Sequence, residues 1–212
     1  MTCLKHRARA LIVVDIQNDF CPGGALAVPG GDEVVAPANR LMALFDIVAA
    51  TQDWHPADHG SFAASHPGRK PFEMAELGGL DQVLWPIHCV QGTPGAAFHP
   101  GLDASRITRV FPKGTEAGID SYSGFFDNGQ RRSTGLEEWL GDLGVIEVAI
   151  CGLATDYCVK ATALDAVRLG FRTHLVEDAC RGVGLRPGDI PGALEEMRRA
   201  GVILARAADL HL

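Results

Sequence analysis

The chain has 212 residues, 47% hydrophobic and 21% charged, and its 19 Lys and Arg against 26 Asp and Glu leave a net charge of −7. It carries no Lys/Arg-rich run and no apolar stretch near the ~18 residues of a membrane span, which excludes nucleic acid and membranes as expected partners. The length is enough to bury one full hydrophobic core, and one domain over 1–212 is the expectation.

In chain order, basic residues precede an apolar run in "MTCLKHRARALIVVD". "ALIVV" (10–14) is far shorter than a secretory core and ends at Asp15, so it reads as a first strand and not a signal. "DEVVAPANRLMALF" (32–45) places Val35, Leu41, Leu44 and Phe45 at near-helical spacing. "DIVAAT" (46–51) is a second strand. Residues 52–105, rich in His, Pro, Gly and Ser, are too long for an ordinary connector, and such loops usually serve function. They form the expected metal and substrate region, with lid-like segments inside 56–87. "ITRVF" (107–111) resumes the strand pattern, and "GLEEWLGDLG" (135–144) is a short helix with Gly144 as its C′ stop. Strand "VIEVAI" (145–150), a helix over 157–169, strand "RTHLVE" (172–177), a helix over 189–200 and strand "VILA" (202–205) complete the series. Strands separated by helices predict a three-layer α/β fold with an approximately six-stranded parallel sheet flanked by helices.

Six cysteines are scattered without a CxxC or a framework spacing. That pattern favours free thiols and a cytoplasmic location. Cys3, Cys21, Cys89, Cys151 and Cys180 read as structural thiols.

In open α/β sheets, ligands bind beyond the carboxyl ends of the strands. Those ends carry Asp15 in "VVDIQNDF", Asp53 and His55 in "TQDWHPADH", Lys113 in "FPKGT" and Cys158 in "CGLATDYC". Each has an ordinary reading alone: a turn carboxylate, a solvated ammonium, a small core thiol. At one edge of one sheet they form a chemical unit. Cysteine attacks as thiolate, which a nearby ammonium and a helix N-terminus both favour. A carboxylate in reach takes the thiol proton and returns it to a leaving amine. First-turn N–H groups, with the amide of the preceding turn, would hold an oxyanion. The chemistry is acyl transfer from an amide or ester.

Asp53, His55 and His88 form a second constellation: two imidazoles and a carboxylate able to hold a divalent transition metal with open positions. His59 is a further candidate ligand or supporting group, while His66 and His99 read as loop histidines before proline.

"VVDIQNDF", "FPKGT" and "GLATDYCVKATALDA" resemble the Asp–Lys–Cys triad of the isochorismatase-like cysteine hydrolases. "TQDWHPADHGSFA", "LWPIHCVQGTPGA" and "DSYSGFFDN" are similar to the nicotinamidases, also active as pyrazinamidases, within that superfamily. The resemblance implies hydrolysis of nicotinamide to nicotinate and ammonia in NAD salvage. It makes Cys158 the nucleophile, Asp15 the proton shuttle and Lys113 the thiolate's partner. The backbone N–H groups of Ala154 and Cys158 become the oxyanion hole, with a cis peptide before Ala154. Metal ligands map to Asp53, His55 and His88, with zinc first and iron or manganese as alternatives, the ion binding the pyridine nitrogen. Phe20 and Trp85 match ring-contacting aromatics, joined by Tyr157 and Tyr122. The implied partners are small amides, nicotinamide and pyrazinamide; a homo-oligomer is left open. A metal-free isochorismatase or an N-carbamoyl amidase would not need Asp53, His55 and His88.

Overall fold

Apolar runs dictate the centre of the molecule. A computed structural model of the chain describes residues 8–210, and Cys3 lies outside them. Strand β1 (Ala8–Val14) is buried along Ala10–Val14, with no exposed surface on any of those side chains. Strand β6 (Val145–Leu153) is buried along Val148–Leu153. Such two-sided burial is what a central strand of a parallel sheet requires, and each fully buried Val, Leu or Ile contributes roughly 1.5–3 kcal/mol. The remaining sheet strands are β2 (Ile47–Asp53), β5 (Arg109–Lys113), β7 (Arg172–Arg181) and β8 (Ile203–Ala205). They order as β5-β2-β1-β6-β7-β8, and every neighbouring pair is parallel. Pro112, which has no N–H to give, sits on the edge strand β5, where a ladder bond is dispensable.

The helices are α1 (Val35–Met42), α2 (Leu136–Asp142), α3 (Lys160–Arg168) and α4 (Asp189–Ala200). Val35, Ala38, Leu41 and Met42 form the buried face of α1, which follows a single 3-10 turn over Gly31–Val34. The expected helix over 32–45 is therefore shorter, because its ends are a tighter turn and a frayed stop. Gly144 closes the α2 region at φ +68° as expected. Strands β6 and β7 run three and four residues beyond their expected ends. Cys151, Gly152, Ala179 and Cys180, which look like loop, are thereby drawn into the sheet.

The long segment after β2 is not wholly irregular. Strands β3 (Met74–Leu77) and β4 (Leu80–Val83) form an antiparallel hairpin across Gly78-Gly79. Four-residue strands with half-exposed faces give a weak alternation signal, so only the Gly-Gly turn marks them in the sequence. Among the described residues, no helix is long and apolar enough to cross a membrane.

Candidate active site

Strand order alone brings the expected residues together. Because β5, β2, β1 and β6 are adjacent and parallel, their carboxyl ends lie side by side. Lys113 ends β5 and pairs in register with Asp53, the end of β2. Asp15 follows β1 at φ +48°, a left-handed conformation that Asp tolerates better than most residues and that turns the chain off the strand. After β6 comes the cis peptide Leu153–Ala154, as expected, then a π-type turn over Thr155–Val159 that presents Cys158 ahead of α3. The nucleophile candidate thus sits in a wider turn than the α-helical first turn read from the sequence. The Ala154 carbonyl accepts from Tyr157 N–H at 3.0 Å and Val159 N–H at 3.1 Å, which sets that width.

Lys113 is the hub. Its side chain is fully buried, and Nζ donates to Asp53 Oδ1, to the Ser121 carbonyl at 3.0 Å and to Cys158 Sγ at 3.2 Å. Three N–H bonds meet three acceptors, which uses the whole ammonium. Asp15 Oδ2 lies 2.9 Å from the same nitrogen as an ion pair, yet accepts no directed hydrogen bond. Its partner oxygen Oδ1 takes the Thr51 hydroxyl at 2.6 Å. Oxygens of Asp15 and Asp53 and the sulfur of Cys158 all fall within 4.8 Å of one another. With Lys113 donating to sulfur, the Asp15 carboxylate is the neighbouring group able to take the thiol proton.

Electrostatics here differ from the sequence expectation in one respect. Burial pushes the Cys158 thiol well above its ordinary value; Lys113 pulls it down, but Asp15 and Asp53 push it up again. Burial first, and then the two carboxylates, work against the thiolate that Lys113 favours. Burial also raises Asp15, more than Lys113 lowers it. A raised carboxylate is a better proton acceptor, so the pair is suited to transfer on demand. Burial works against a charged Lys113, but Asp15 and Asp53 hold its ammonium well above the usual range.

Asp53 faces the other way with Oδ2, 3.6 Å from His55 Nε2 and 3.8 Å from His88 Nε2. His55 Nδ1 is 2.9 Å from the Gly114 carbonyl and His88 Nδ1 is 2.8 Å from the Pro86 carbonyl. A carbonyl partner makes Nδ1 the protonated nitrogen, leaving both Nε2 lone pairs facing Asp53. A carboxylate oxygen and two imidazole nitrogens, all buried and within 4.8 Å, fit a divalent transition ion. Gly114 is required for this: a Cβ there would come 2.3 Å from His55 Cε1, and its φ is +63°. His59 lies tilted against His55 with ring centroids 4.3 Å apart, and its Nδ1 is 2.7 Å from Ser61 Oγ. Burial, helped by His55, pushes His59 down to about 4, and with His55 and Asp120 it forms a further group within 4.8 Å. His66 and His99 bond to Gly60 and Gly101 in their own loops.

Between Cys158 and the Asp53, His55 and His88 cluster lies a small cavity. Phe20, Trp85, Tyr122 and Tyr157 all line it, as expected, with Asp53, His55, His88, Ala154 and Cys158. Sequence reasoning missed Leu26, Val183 and Asp120 on the same wall. It also missed Gln82 in β4, whose Nε2 donates to Asp120 Oδ2 at 2.9 Å and Tyr122 Oη at 3.0 Å. Trp85 Nε1 donates to the same hydroxyl at 3.1 Å. The hairpin is thus latched to the aromatic wall. "DSYSGFFDN" marks Asp120 and Tyr122 by resemblance, but nothing local to Gln82 marks it.

Thr51 supports a direct test of this geometry. Thr51→Val keeps the shape and deletes the bond to Asp15, and a buried bond to a charged group contributes about 1.5–3 kcal/mol. We expect kcat for the best amide substrate to fall about tenfold with KM unchanged. Steady-state kinetics of the purified variant decide it; an unchanged kcat would show that Asp15 needs no such orientation.

The family model for the isochorismatase domain matches residues 9–209. The nicotinamidase of Escherichia coli (strain K12) is 52% identical over 205 residues, covering 95% of this chain and 96% of that protein. The solved Acinetobacter baumanii nicotinamidase/pyrazinamidase is 46% identical with a TM-score of 0.94, covering 98% of this chain and 100% of that one. The pyrazinamidase of Pyrococcus horikoshii, solved in complex with zinc, is 40% identical with a TM-score of 0.76, covering 93% and 98%.

Proposed function

The chain belongs to the isochorismatase family, and on that premise we propose that it hydrolyses nicotinamide to nicotinate and ammonia, and pyrazinamide to pyrazinoate, as a step of NAD salvage. The observation that carries the reading is that one ammonium, Lys113, joins a thiol–carboxylate pair to a metal-competent cluster beside one aromatic-lined cavity.

Cys158 Sγ attacks the carboxamide carbon as its proton passes to Asp15 Oδ2. The N–H groups of Ala154 and Cys158 hold the developing oxyanion. Asp15 then gives the proton to the amide nitrogen, the C–N bond breaks, and ammonia leaves a thioester on Cys158. Water attacks that thioester with Asp15 again as base, the C–S bond breaks, and nicotinate departs from the restored thiol. Lys113 stays charged throughout and compensates the negative charge as it moves between sulfur and carboxylate.

A divalent transition ion held by Asp53, His55 and His88, zinc first with iron or manganese as alternatives, supplies when bound a Lewis acid for the ring nitrogen. Phe20, Trp85, Tyr122 and Tyr157 enclose the ring from the sides. The free thiols at Cys21, Cys89, Cys151, Cys158 and Cys180 fit a reducing compartment, and we assign the chain to the cytoplasm.

Ammonia release across a panel of amides, with metal analysis on the same preparation, tests the reading. Turnover of nicotinamide by metal-containing protein supports it, whereas preference for a carbamoyl amide by metal-free protein sinks it. The double variant Asp53→Ala/His55→Ala is expected to lose its bound metal and raise KM for nicotinamide. Retention of stoichiometric metal by that variant, read by elemental analysis, would show the ligand set to be wrong.

A further inference from the structure

Asp156 lies midway between Ala154 and Cys158, and no step of the hydrolysis uses it. It is buried, and its two oxygens each take one backbone N–H from the segment that follows β7: Oδ1 from Val183 and Oδ2 from Gly184, both at 2.8 Å. Among the described residues, 182–185 make no backbone–backbone hydrogen bond outside the sheet and helices. The carboxylate therefore supplies a side-chain attachment for a stretch that no turn or loop bond holds. The approach is close enough to demand glycine at 182, where a Cβ would meet Ile190 Cγ1 at 2.6 Å and Asp156 Oδ1 at 3.0 Å.

The consequence lies in what the clamped segment carries. Val183 forms part of the catalytic cavity wall beside Tyr157 and Ala154. Leu185 and Arg186, two residues on, border a wider outer recess with Phe72 and Met74 of the hairpin region. Tyr157 borders both spaces. The segment thus lies between the catalytic cavity and the outer recess, tied by one carboxylate to the turn that carries Cys158.

We propose that Asp156 is a positioning residue for substrate selection: by holding Val183 and Gly184 it keeps the cavity closed around a single six-membered ring. It acts on binding and ring size, and leaves the chemistry at sulfur to Asp15 and Lys113. The kinetic part of the test rests on the nicotinamidase reading; the exchange part does not.

Asp156→Ala is expected to raise KM for nicotinamide about tenfold or more, the scale of a lost charged hydrogen bond, with kcat held within about threefold. The ratio of kcat/KM for nicotinamide over that for a fused two-ring carboxamide should fall with it. Asp156→Asn keeps one acceptor and should lie between Asp and Ala. Val183→Ala leaves the clamp in place, guards against a folding failure of Asp156→Ala, and should shift KM and ring-size preference in the same direction. Amide hydrogen exchange should lose protection at residues 183–184 in Asp156→Ala while β6 and β7 keep theirs. The pH profile of Cys158 alkylation by a small haloacetamide should not move. A shifted alkylation profile, or a fall in kcat at constant KM, would overturn the proposal in favour of an electrostatic effect on the thiol. Unchanged exchange at 183–184 would overturn the clamp itself, whether or not nicotinamide is a substrate.

Discussion

Cys158→Ala should lower kcat for nicotinamide by about 10⁴-fold or more, to the level that binding and the oxyanion N–H groups sustain without a nucleophile. The expectation follows from the site's inventory. Cys158 is the thiol that receives an Lys113 N–H and stands within 4.8 Å of the Asp15 carboxylate. Cys21, Cys151 and Cys180 are buried elsewhere and Cys89 lies next to His88 but off the cavity; burial pushes each thiol above its ordinary value, Cys21 to about 11 and Cys180 to about 12. None of these four lines the catalytic cavity, so none can substitute. The variant should keep its fold, since removing one small sulfur from a packed turn costs far less than a core truncation. It should also keep its metal and bind nicotinamide with near-normal affinity, because ring contacts and ligands are untouched. Mass spectrometry of acid-quenched turnover should find a nicotinoyl adduct on the unmodified protein and none on the variant. Comparable turnover by purified Cys158→Ala would end the covalent mechanism. Loss of nicotinamide binding along with turnover would show that the thiol's role is to shape the cavity.

Much of this site is legible in one sequence because of where strands end. A parallel sheet gathers carboxyl ends at one edge, so Asp15, Asp53 and Lys113 can be placed together from three apolar runs. Cys158 joins them because "VIEVAI" reads as a buried strand and the thiol follows soon after its end. Other residues are illegible for a common reason. Thr51 is the polar residue of a buried strand, and only the register of β1 against β2 gives it Asp15 as partner. Gln82 sits in a hairpin whose sequence looks like surface, and its partners lie 38 and 40 positions away. Asp156 resembles an ordinary helix-start acid until the fold brings Val183 and Gly184 onto it. The thiol's electrostatics are hidden in the same way. Sequence supplies one ammonium near one cysteine, whereas the fold adds a second carboxylate and removes the water. Local pattern reports the groups; long-range packing sets their partners, and the partners set the energies.

Lys113→Met is expected to be the most disruptive single change, in both activity and stability. Lys113 is 2% exposed and is the cation within contact of two buried carboxylates, Asp15 and Asp53. Methionine fills a similar volume but leaves both acids without their counter-charge. Breaking a buried pair by removing one partner costs about 3–5 kcal/mol, because an uncompensated charge remains inside. At about 2–4 °C per kcal/mol for a chain of this size, melting should drop by roughly 10 °C. Turnover should fall about 10³-fold or more, since sulfur loses its donor while Asp15 is free to take up a proton and cease to be a base. The two effects can be separated with a chelator. In the unmodified protein Asp53 has Lys113 on one oxygen and the His55 and His88 cluster on the other, so a metal-free site still leaves it the ammonium. In Lys113→Met only the two imidazoles remain beside it. Chelation should therefore lower the melting temperature more in the variant than in the unmodified protein, a coupling that a double-mutant-style cycle reads directly. Equal drops in the two proteins would mean that Lys113 and the metal cluster do not share Asp53. A Lys113→Met protein with unaltered melting and turnover would remove the ammonium from the mechanism altogether.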